Sequence, residues 1–549
     1  MHDDDLIARA KTWLAEDPDA ETRDELAKLI EAGDVTELSD RFSGTLQFGT
    51  AGLRGELGAG PMRMNRSVVI RAAAGLAAYL KNQGPSQREG GAGLVVIGYD
   101  ARHKSEDFAR DTAAVMTGAG LRAAVLPRPL PTPVLAYAIR HLGAAAGVEV
   151  TASHNPPRDN GYKVYLGDGS QIVPPADTDI AAEIDAIASL DDVPRPTDGW
   201  DTLDDSVLDA YLARTDAVLS PDSPRTARTV YTAMHGVGKD VLLAAFARAG
   251  FPTPELVAEQ AEPDPDFPTV AFPNPEEPGA MDLAFAKARE TDPDLIIAND
   301  PDADRCAVAV KDGEDWRMLR GDEVGALLAA HLVDRGAQGT FAESIVSSSL
   351  LGRIAEKANL AYEETLTGFK WIARVENLRY GYEEALGYCV DPEGVRDKDG
   401  ITAALLITEL ASSLKAQNRT LLDLLDDLAV EHGLHATDQL SVRVQDLSVI
   451  ANAMRRLREQ PPTQLAGLAI TRAEDLTQGT ETLPPTDGLR YTLDGARVIV
   501  RPSGTEPKLK CYLEVVVPVA THADLPAART KATALLATIK QDLSTAAGI

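Results

Sequence analysis

A serine in a stiff turn, followed ten residues later by a lysine, is the pattern in this 549-residue chain that points most directly to chemistry. Residues 150–165 read Val-Thr-Ala-Ser-His-Asn-Pro-Pro-Arg-Asp-Asn-Gly-Tyr-Lys-Val-Tyr, so a strand-like apolar segment delivers Ser153 into a turn with two prolines. Proline fixes φ at about −65° and stiffens the loop. A hydroxyl held in this way suits nucleophilic catalysis. The structural alternative is an ordinary strand-to-helix turn with a capping serine.

A second pattern places three carboxylates at alternate positions. Residues 300–305 read Asp-Pro-Asp-Ala-Asp-Arg and follow an apolar segment, 295–298. A calcium-binding EF-hand loop is excluded, because Arg305 and Lys311 stand where it requires Gly and Glu. A haloacid-dehalogenase-type phosphotransferase is excluded, because it expects Thr or Val where Asp304 stands. The pattern therefore indicates either a site for a hard cation at a strand end or a solvated acidic turn.

A third pattern has the composition of a phosphate-binding turn. Residues 501–508 read Arg-Pro-Ser-Gly-Thr-Glu-Pro-Lys and follow the apolar segment 498–500. Backbone N–H groups, two hydroxyls and an arginine can surround a phosphate, and Gly504 permits close approach. A plain hairpin turn is the alternative.

Three weaker patterns accompany these. The glycine-rich loop 48–55 presents Arg54, which could reach an anion, and Arg102 at the next strand end could lie beside it. In the third quarter of the chain, segments 367–370, 382–388 and 396–400 contain acidic side chains that suit sugar hydroxyls and lysines that suit phosphate or proton transfer. Taken singly, each is more typical of a solvated turn than of a binding site.

The overall composition excludes some partners. Lys and Arg number 54 against 84 Asp and Glu, a formal charge of −30, so we expect no nucleic acid or anionic membrane partner. The three cysteines fit no disulfide framework or zinc spacing, and no signal peptide or membrane span is recognisable. We therefore expect a cytoplasmic protein.

Alternating strand-like and helix-like segments predict an α/β protein of four domains. The predicted domains are 1–205, 206–320, 321–434 and 435–549, with one or two helices over 3–40 and a linker at 191–205. Ser67 is the predicted cap of a helix that extends to Asn82.

Taken together and in this order, the patterns between Gly49 and Lys508 resemble the α-D-phosphohexomutase superfamily of phosphoglucomutases and phosphomannomutases. The resemblance implies four α/β domains around a central cleft, the first three with a shared mixed-sheet fold and the fourth smaller and mobile. It also implies small-molecule sugar phosphates as partners, in a monomer or small homo-oligomer.

By this resemblance Ser153 carries the transferable phosphate, primed by a hexose 1,6-bisphosphate. Ser153, Asp300, Asp302 and Asp304 would bind Mg²⁺. Lys163 and Lys398 are the candidate general acid and base, in either order, and Arg54 and His154 would lie near the transferred phosphoryl group. Glu383 would hold sugar hydroxyls, and the non-reacting phosphate would contact Arg501, Ser503, Gly504 and Thr505. Further candidate substrate-binding residues are Arg305, Thr367, Gly368 and Ala385.

One departure concerns the sugar. Many members of the superfamily carry Gly-Glu-x-Ser in the sugar loop, whereas residues 382–385 read Tyr-Glu-Glu-Ala, without the serine hydroxyl. The loops at 48–55 and 383–388 look closer to the second phosphoglucomutase branch, which includes phosphopentomutases. The setting of Lys398 favours glucose 1-phosphate and glucose 6-phosphate as substrates, with mannose or pentose phosphates as alternatives. Two other hypotheses are a phosphoserine-dependent sugar-phosphate phosphatase and a catalytically silent sugar-phosphate sensor.

Overall fold

A computed structural model describes residues 3–49, 52–83, 93–503 and 508–549 of the chain. The chain divides into two compact units. The first unit comprises Met1–Met318 and Gly387–Glu409, and the second comprises Leu319–Leu386 and Leu410–Ile549.

Three helices, rather than one or two, open the first unit: α1 (Asp3–Glu16), α2 (Ala20–Ala32) and α3 (Val35–Phe42). The sequence did not predict that α2 and α3 are separate helices. The chain leaves the helical conformation at Gly33, which adopts φ +62° and ends α2. Asp34 follows and accepts a hydrogen bond from the backbone N–H of Glu37, which starts α3. The three helices share a small core that includes Leu26, Leu38 and Phe42.

A six-stranded mixed sheet follows in the first unit. Its elements are β1 (Leu53–Glu56), α4 (Arg66–Asn82), β2 (Leu94–Tyr99), α5 (Ser105–Gly118), β3 (Arg122–Val125), α6 (Thr132–His141), β4 (Ala146–Val150), β5 (Asp159–Leu166), α7 (Ala176–Asp185) and β6 (Asp201–Thr202). The strand order is β1-β5-β4-β2-β3-β6. The pairs β2–β4, β2–β3 and β3–β6 are parallel, whereas β5 pairs antiparallel with both β4 and β1. Strand β4 is buried along its whole length and leads directly to Ser153.

Two local predictions in this sheet were wrong. Helix α4 is capped by Asn65, whose side chain accepts a 2.9 Å hydrogen bond from the N–H of Val68, and Ser67 lies inside the helix. The predicted linker over 191–205 contains β6, which extends the sheet by pairing with β3. Proline and aspartate in this stretch suit an edge strand as well as a linker, which is why composition alone was misleading.

A second mixed sheet completes most of the first unit. Its elements are α8 (Ser206–Thr215), β7 (Thr229–Thr232), α9 (Gly238–Ala249), β8 (Glu255–Leu256), α10 (Asp282–Thr291), β9 (Leu295–Ala298), β10 (Ala307–Asp312) and β11 (Asp315–Met318). The order is β11-β10-β9-β7-β8, with β7 parallel to β8 and β9. All four residues of β9 are buried, and the strand ends immediately before the acidic triplet.

The second unit contains two further α/β segments. The first has α11 (Gly321–Asp334), β12 (Thr340–Ser344), α12 (Leu350–Lys357), β13 (Ala361–Thr365), α13 (Phe369–Ile372) and β14 (Leu378–Glu383). Strand β12 lies between β13 and β14 and is parallel to both. The chain then supplies β15 (Gly387–Cys389) and the start of α14 (Gly400–Lys415) to the first unit.

The last segment of the second unit is built on an antiparallel sheet. It comprises α15 (Leu421–His432), β16 (Leu434–Arg443), α16 (Leu447–Glu459), β17 (Gln464–Leu465), β18 (Leu468–Asp475), β19 (Leu489–Leu493), β20 (Ala496–Pro502), β21 (Lys508–Val517) and α17 (Leu525–Ala547). The strand order is β16-β21-β20-β19-β18-β17. The predicted fold class, four α/β segments, is confirmed. Among the described residues, no helix is both long enough and apolar enough to cross a membrane.

Candidate active site

Ser153 lies in the turn after β4 with its side chain buried against the acidic triplet. It is 1% exposed, and its Oγ donates a 2.7 Å hydrogen bond to Asp300 Oδ2. His154 Nδ1 lies 3.3 Å from the same Oγ. The backbone of Ser153 adopts φ +51°, a left-handed conformation that non-glycine residues adopt at a cost. The structure thus holds the serine in a strained, fixed orientation beside three carboxylates.

Asp300, Asp302 and Asp304 form a compact buried cluster at the end of β9. All three are 0% exposed, and one carboxylate oxygen from each lies within 4.8 Å of the others. The Oδ1 atoms of Asp302 and Asp304 are buried without a hydrogen-bond partner in the described part of the chain. Buried carboxylate oxygens of this kind need a cation, and a hard divalent ion prefers such ligands. The donor set therefore fits a metal ion.

Two lysines from distant parts of the first unit meet this cluster. Lys163 on β5 donates hydrogen bonds of 2.8 Å to Asp302 and 2.9 Å to Asp304. Lys398 Nζ lies 3.2 Å from Asp304 Oδ2 and donates a 3.2 Å hydrogen bond to Asp397. The structure therefore brings both candidate acid–base lysines to the triplet.

The pKa values in this cluster reflect both burial and pairing. Burial alone lowers the pKa of Lys163, but the carboxylates of Asp302 and Asp304 raise it above its ordinary value. Burial raises the pKa of Asp304, yet Lys163 and Lys398 hold it below the usual range. The pKa of Asp300 is raised well above its ordinary value by burial and by its two acidic neighbours.

Arginines surround the serine loop. Arg54 on β1 donates a 3.3 Å hydrogen bond to Asn155 Oδ1, and its Nε has no partner within the described ranges. Arg305 Nε lies 3.8 Å from Asp300 and 3.9 Å from Asp304. Burial, followed by the nearby charge of Arg305, lowers the pKa of Arg54. Arg305 thus faces the acidic triplet, whereas Arg54 keeps one buried donor without a hydrogen-bond partner among the described residues.

Arg102, predicted to lie beside Arg54, is close enough to it for the two charges to interact. Its Nη1 and Nη2 atoms donate to backbone carbonyl oxygens of the serine loop rather than facing open space. A sequence shows where an arginine stands but not which carbonyls converge on it, so this use was not foreseeable.

Other contacts to the cluster were also missed. Thr132 Oγ1 donates a 2.6 Å hydrogen bond to Asp302 Oδ2, and Tyr165 donates a 2.6 Å hydrogen bond to Asp397. The sequence could have indicated Tyr165, because Tyr165 lies two residues after Lys163 on the same face of β5. It could not have indicated Thr132, because Thr132 precedes Asp302 by 170 positions.

The predicted sugar and phosphate residues lie in the second unit. Glu383 ends β14, is 9% exposed and accepts a 2.7 Å hydrogen bond from the N–H of Gly368. Thr367 Oγ1 is buried and lacks a hydrogen-bond partner in the described segments. The short turn after Glu383 contains Ala385.

The predicted phosphate turn is described only in part. Arg501 lies near the end of β20, and the N–H of Ser503 donates a 2.8 Å hydrogen bond to the carbonyl of Lys508. Gly504 and Thr505 lie outside the described residues.

Together, the fold and the first-unit site define a multidomain α/β enzyme with a buried serine poised beside a candidate cation site. The chain belongs to the phosphoglucomutase/phosphomannomutase family. Family models match domain I over residues 45–191, domain II over 209–313, domain III over 320–431 and the C-terminal domain over 442–532. The resemblance to the α-D-phosphohexomutase superfamily is thereby confirmed, and the protein is a phosphomutase, an isomerase of this type.

Relatives with different printed activities match most of the chain. A protein of Haemophilus influenzae described as "Probable phosphomannomutase" is 52% identical over 82% of this chain and 93% of its own length. The human "Phosphopentomutase" is 36% identical over 92% of this chain and 90% of its own. The solved structure of a phosphoglucomutase/phosphomannomutase family protein from Burkholderia thailandensis covers 91% of this chain and 97% of its own, at 19% identity and a TM-score of 0.69. That last likeness shows the fold.

Proposed function

We propose that the protein interconverts α-D-glucose 1-phosphate and glucose 6-phosphate through a phosphoserine at Ser153 and a glucose 1,6-bisphosphate intermediate. The observation that carries the proposal is the 2.7 Å contact of Ser153 Oγ with Asp300 inside a fully buried cluster of carboxylates and lysines. A phosphoryl group on this oxygen would lie among several cations. Phosphoryl transfer depends mainly on such positioning and charge neutralisation.

The reaction consists of two transfers that balance each other. In the first, the phosphorus–oxygen bond to Ser153 breaks, and a new one forms to the free 6-hydroxyl of glucose 1-phosphate. That hydroxyl loses its proton to a basic group of the site. In the second, the phosphoryl group on the 1-position of the bisphosphate passes back to Ser153, and the departing oxygen receives a proton. The net result is isomerisation, with the phosphoserine restored.

Lys163 and Lys398 are the candidate groups for holding and moving these protons. Both ammonium groups lie within 3.2 Å of Asp304, so one cluster can pass charge between them as the hydroxyl reacts. In the present arrangement Lys163 is held in its charged form by Asp302 and Asp304. The lysine that acts first as base must therefore be released from its carboxylates when substrate binds.

The acidic triplet and Ser153 would hold Mg²⁺. The Oδ1 atoms of Asp302 and Asp304, which accept no hydrogen bond from any described residue, are the feature that fits the ion. When bound, the ion would supply positive charge to neutralise the transferring phosphoryl group. Arg54 and His154 would contribute to the same neutralisation from the protein side.

Further residues are candidates for binding the substrate. Glu383, fixed by the N–H of Gly368, suits two sugar hydroxyls. Arg501, Ser503, Gly504 and Thr505 would hold the phosphate that is not reacting, and Arg305, Thr367 and Ala385 are additional candidate contacts to the substrate. Two phosphate-binding places in one enzyme are what a mutase requires, since a monoesterase has no use for the second.

The test combines activity with labelling of the serine. Purified protein should convert glucose 1-phosphate to glucose 6-phosphate in a coupled assay and gain the mass of one phosphoryl group from glucose 1,6-bisphosphate. Ser153→Ala should lose both properties, whereas Ser206→Ala, at the exposed start of α8, should retain them. Mutase activity above a trace in Ser153→Ala would refute the scheme. Release of inorganic phosphate faster than isomer formation would instead indicate a phosphatase.

The second candidate function is the same reaction on the phosphate of a different sugar. Ala385 offers no hydroxyl to a hexose, and the human relative named phosphopentomutase matches nearly the whole chain. The relative named phosphomannomutase is the more similar of the two. Parallel assays with glucose, mannose and ribose 1-phosphates distinguish these alternatives by the ratio of their kcat/KM values.

A further inference from the structure

We propose that Arg102 is a positioning residue that holds the phosphoryl-carrying loop in its reactive shape. The inference rests on the proposed role of Ser153. Arg102 would increase the rate of phosphoryl transfer, although the arginine side chain would contact neither the phosphate nor the sugar.

One guanidinium ties four carbonyl groups of the serine loop together. Arg102 Nη2 donates to the carbonyl oxygens of Ser153 and Asn155, at 2.6 Å each. Its Nη1 donates to those of Pro156 and Asp159, at 2.8 and 3.1 Å. A planar guanidinium offers five donors in fixed directions, and bonds from a charged donor are the strong ones. The loop over 153–159 is therefore built around this side chain.

Arg102 is itself fixed by neighbours on other sides. Its Nε lies 3.3 Å from Asp100 Oδ2 in an ion pair, and Asp100 Oδ1 accepts from the N–H of Arg102 at 3.0 Å. The Phe267 ring centroid lies 4.9 Å from the guanidinium carbon. The arginine is only 4% exposed. Its orientation is thus determined before any substrate arrives.

The loop needs such a hold because its conformation is unfavourable on its own. Ser153 has φ +51°, and several carbonyl dipoles point toward one place, where they repel unless a cation lies between them. Without the guanidinium, the loop would relax and carry Ser153 Oγ away from Asp300. Misplacing a reacting group by about 1 Å can cost on the order of 100-fold in rate.

The central experiment compares two arginine-to-lysine variants. Arg102→Lys keeps the charge but loses the planar fork, so it cannot bond all four carbonyls. We expect kcat to fall about 100-fold with little change in KM, and phosphorylation of Ser153 by glucose 1,6-bisphosphate to slow by a similar factor. Arg66→Lys is the matched control, because Arg66 on α4 makes a bidentate ion pair with Asp111 at 2.7 and 2.8 Å. Its kcat should stay at the wild-type value.

Chemical rescue separates positioning from general stability. In Arg102→Gly, added guanidinium ion should enter the vacated space and restore kcat at least ~10-fold. It should not rescue Ser153→Ala. If Arg102→Lys fails to fold, Asp100→Asn replaces it, and loosening the arginine should lower kcat about 10-fold at unchanged KM.

The outcomes distinguish the proposed role of Arg102 from the proposed role of Ser153 as the phosphoserine. An Arg102→Lys enzyme that turns over and labels like wild type, while Ser153→Ala is inactive, overturns the role of Arg102 alone. So does an equal loss in Arg66→Lys, a loss confined to KM, or absence of guanidinium rescue in Arg102→Gly. Activity in Ser153→Ala would instead overturn the phosphoserine scheme, whatever Arg102 does.

Discussion

Lys163 Nζ lies 2.9 Å from Asp304 Oδ2, and both side chains are buried. The same ammonium group donates a 2.8 Å hydrogen bond to Asp302. One lysine therefore bridges two of the three carboxylates that form the candidate metal site, and its single positive charge offsets part of their negative charge. A bound cation and this lysine must share the charge of the same carboxylates, which links metal binding to the state of a candidate proton carrier.

Replacing this lysine should make the protein more dependent on metal. In Lys163→Met the buried carboxylates lose their partner, so without metal the free energy of unfolding should fall by about 3–5 kcal/mol. Magnesium should then raise the melting temperature more than it does in wild type, because it relieves a larger repulsion. Thermal unfolding with chelator and with excess magnesium measures both effects.

The control is Lys311→Met, which removes an exposed lysine paired with Asp292 at 2.8 Å. It should leave the magnesium response unchanged. Equal magnesium-induced shifts in Lys163→Met and wild type would contradict the link between the lysine and the metal site.

Asp302→Asn should weaken magnesium binding in a measurable way. The substitution preserves shape and the contact with Thr132 but removes one of three negative charges from the cluster. We expect the magnesium concentration for half-maximal activity to rise by ~10–100-fold or more. Losing a residue that only hydrogen-bonds a metal ligand already has an effect of this size. Asp312→Asn, an exposed aspartate on β10, should show the wild-type magnesium curve. Identical curves for Asp302→Asn and wild type would exclude Asp302 as a ligand.

Motifs at strand ends were the part of the site that the sequence could predict. An apolar strand followed at once by Asp300 or by the turn of Ser153 is a local pattern, so both residues could be placed before their contacts were known. The meeting of Lys398 with Asp304 depends on how β15 and its following loop return to the first unit, which no local pattern encodes. For the same reason, the hydrogen bonds from Arg102 to backbone carbonyl groups could not be predicted.

The fold was predictable where periodicity is strong. The apolar segment 295–298, for example, has the same bounds as the observed strand β9. The predictions were wrong where the same residue types suit two local structures equally well. Asn65 and Ser67 are both good caps, and only the packing of the chain before α4 decides that Asn65 accepts the bond from Val68.

Asp399 should make the first unit less stable as the pH rises from about 4 to about 6. Burial raises the pKa of Asp399 to about 6, although it accepts hydrogen bonds from Tyr211 and from the N–H groups that begin α14. Below pH about 4 the carboxyl is protonated in both the folded and the unfolded chain. As the pH rises, the unfolded chain releases its proton first, so the free energy of unfolding falls, by about 3 kcal/mol in total.

Asp399→Asn should remove this part of the pH dependence while keeping an acceptor for the same donors. Melting temperatures of wild type and variant between pH 4 and pH 7 provide the measurement, and their difference should grow with pH in favour of the variant. Asp209→Asn, an exposed position on α8, serves as the control and should parallel wild type. A constant difference between Asp399→Asn and wild type across this range would disprove the assignment.

Ala385→Ser tests whether the turn after Glu383 determines the sugar specificity. The turn after Glu383 lacks a hydroxyl, whereas Glu383 itself is held by the N–H of Gly368. If this turn faces the sugar, a new hydroxyl should favour a hexose, which has more groups to bond than a pentose. We expect the ratio of kcat/KM for glucose 1-phosphate to that for ribose 1-phosphate to rise about 10-fold, a typical gain for one added polar contact. Glu383→Gln should instead lower kcat/KM for both sugars, because it weakens the acceptor that each of them needs. If Ala385→Ser changed both sugars equally, sugar preference would lie elsewhere than in this turn.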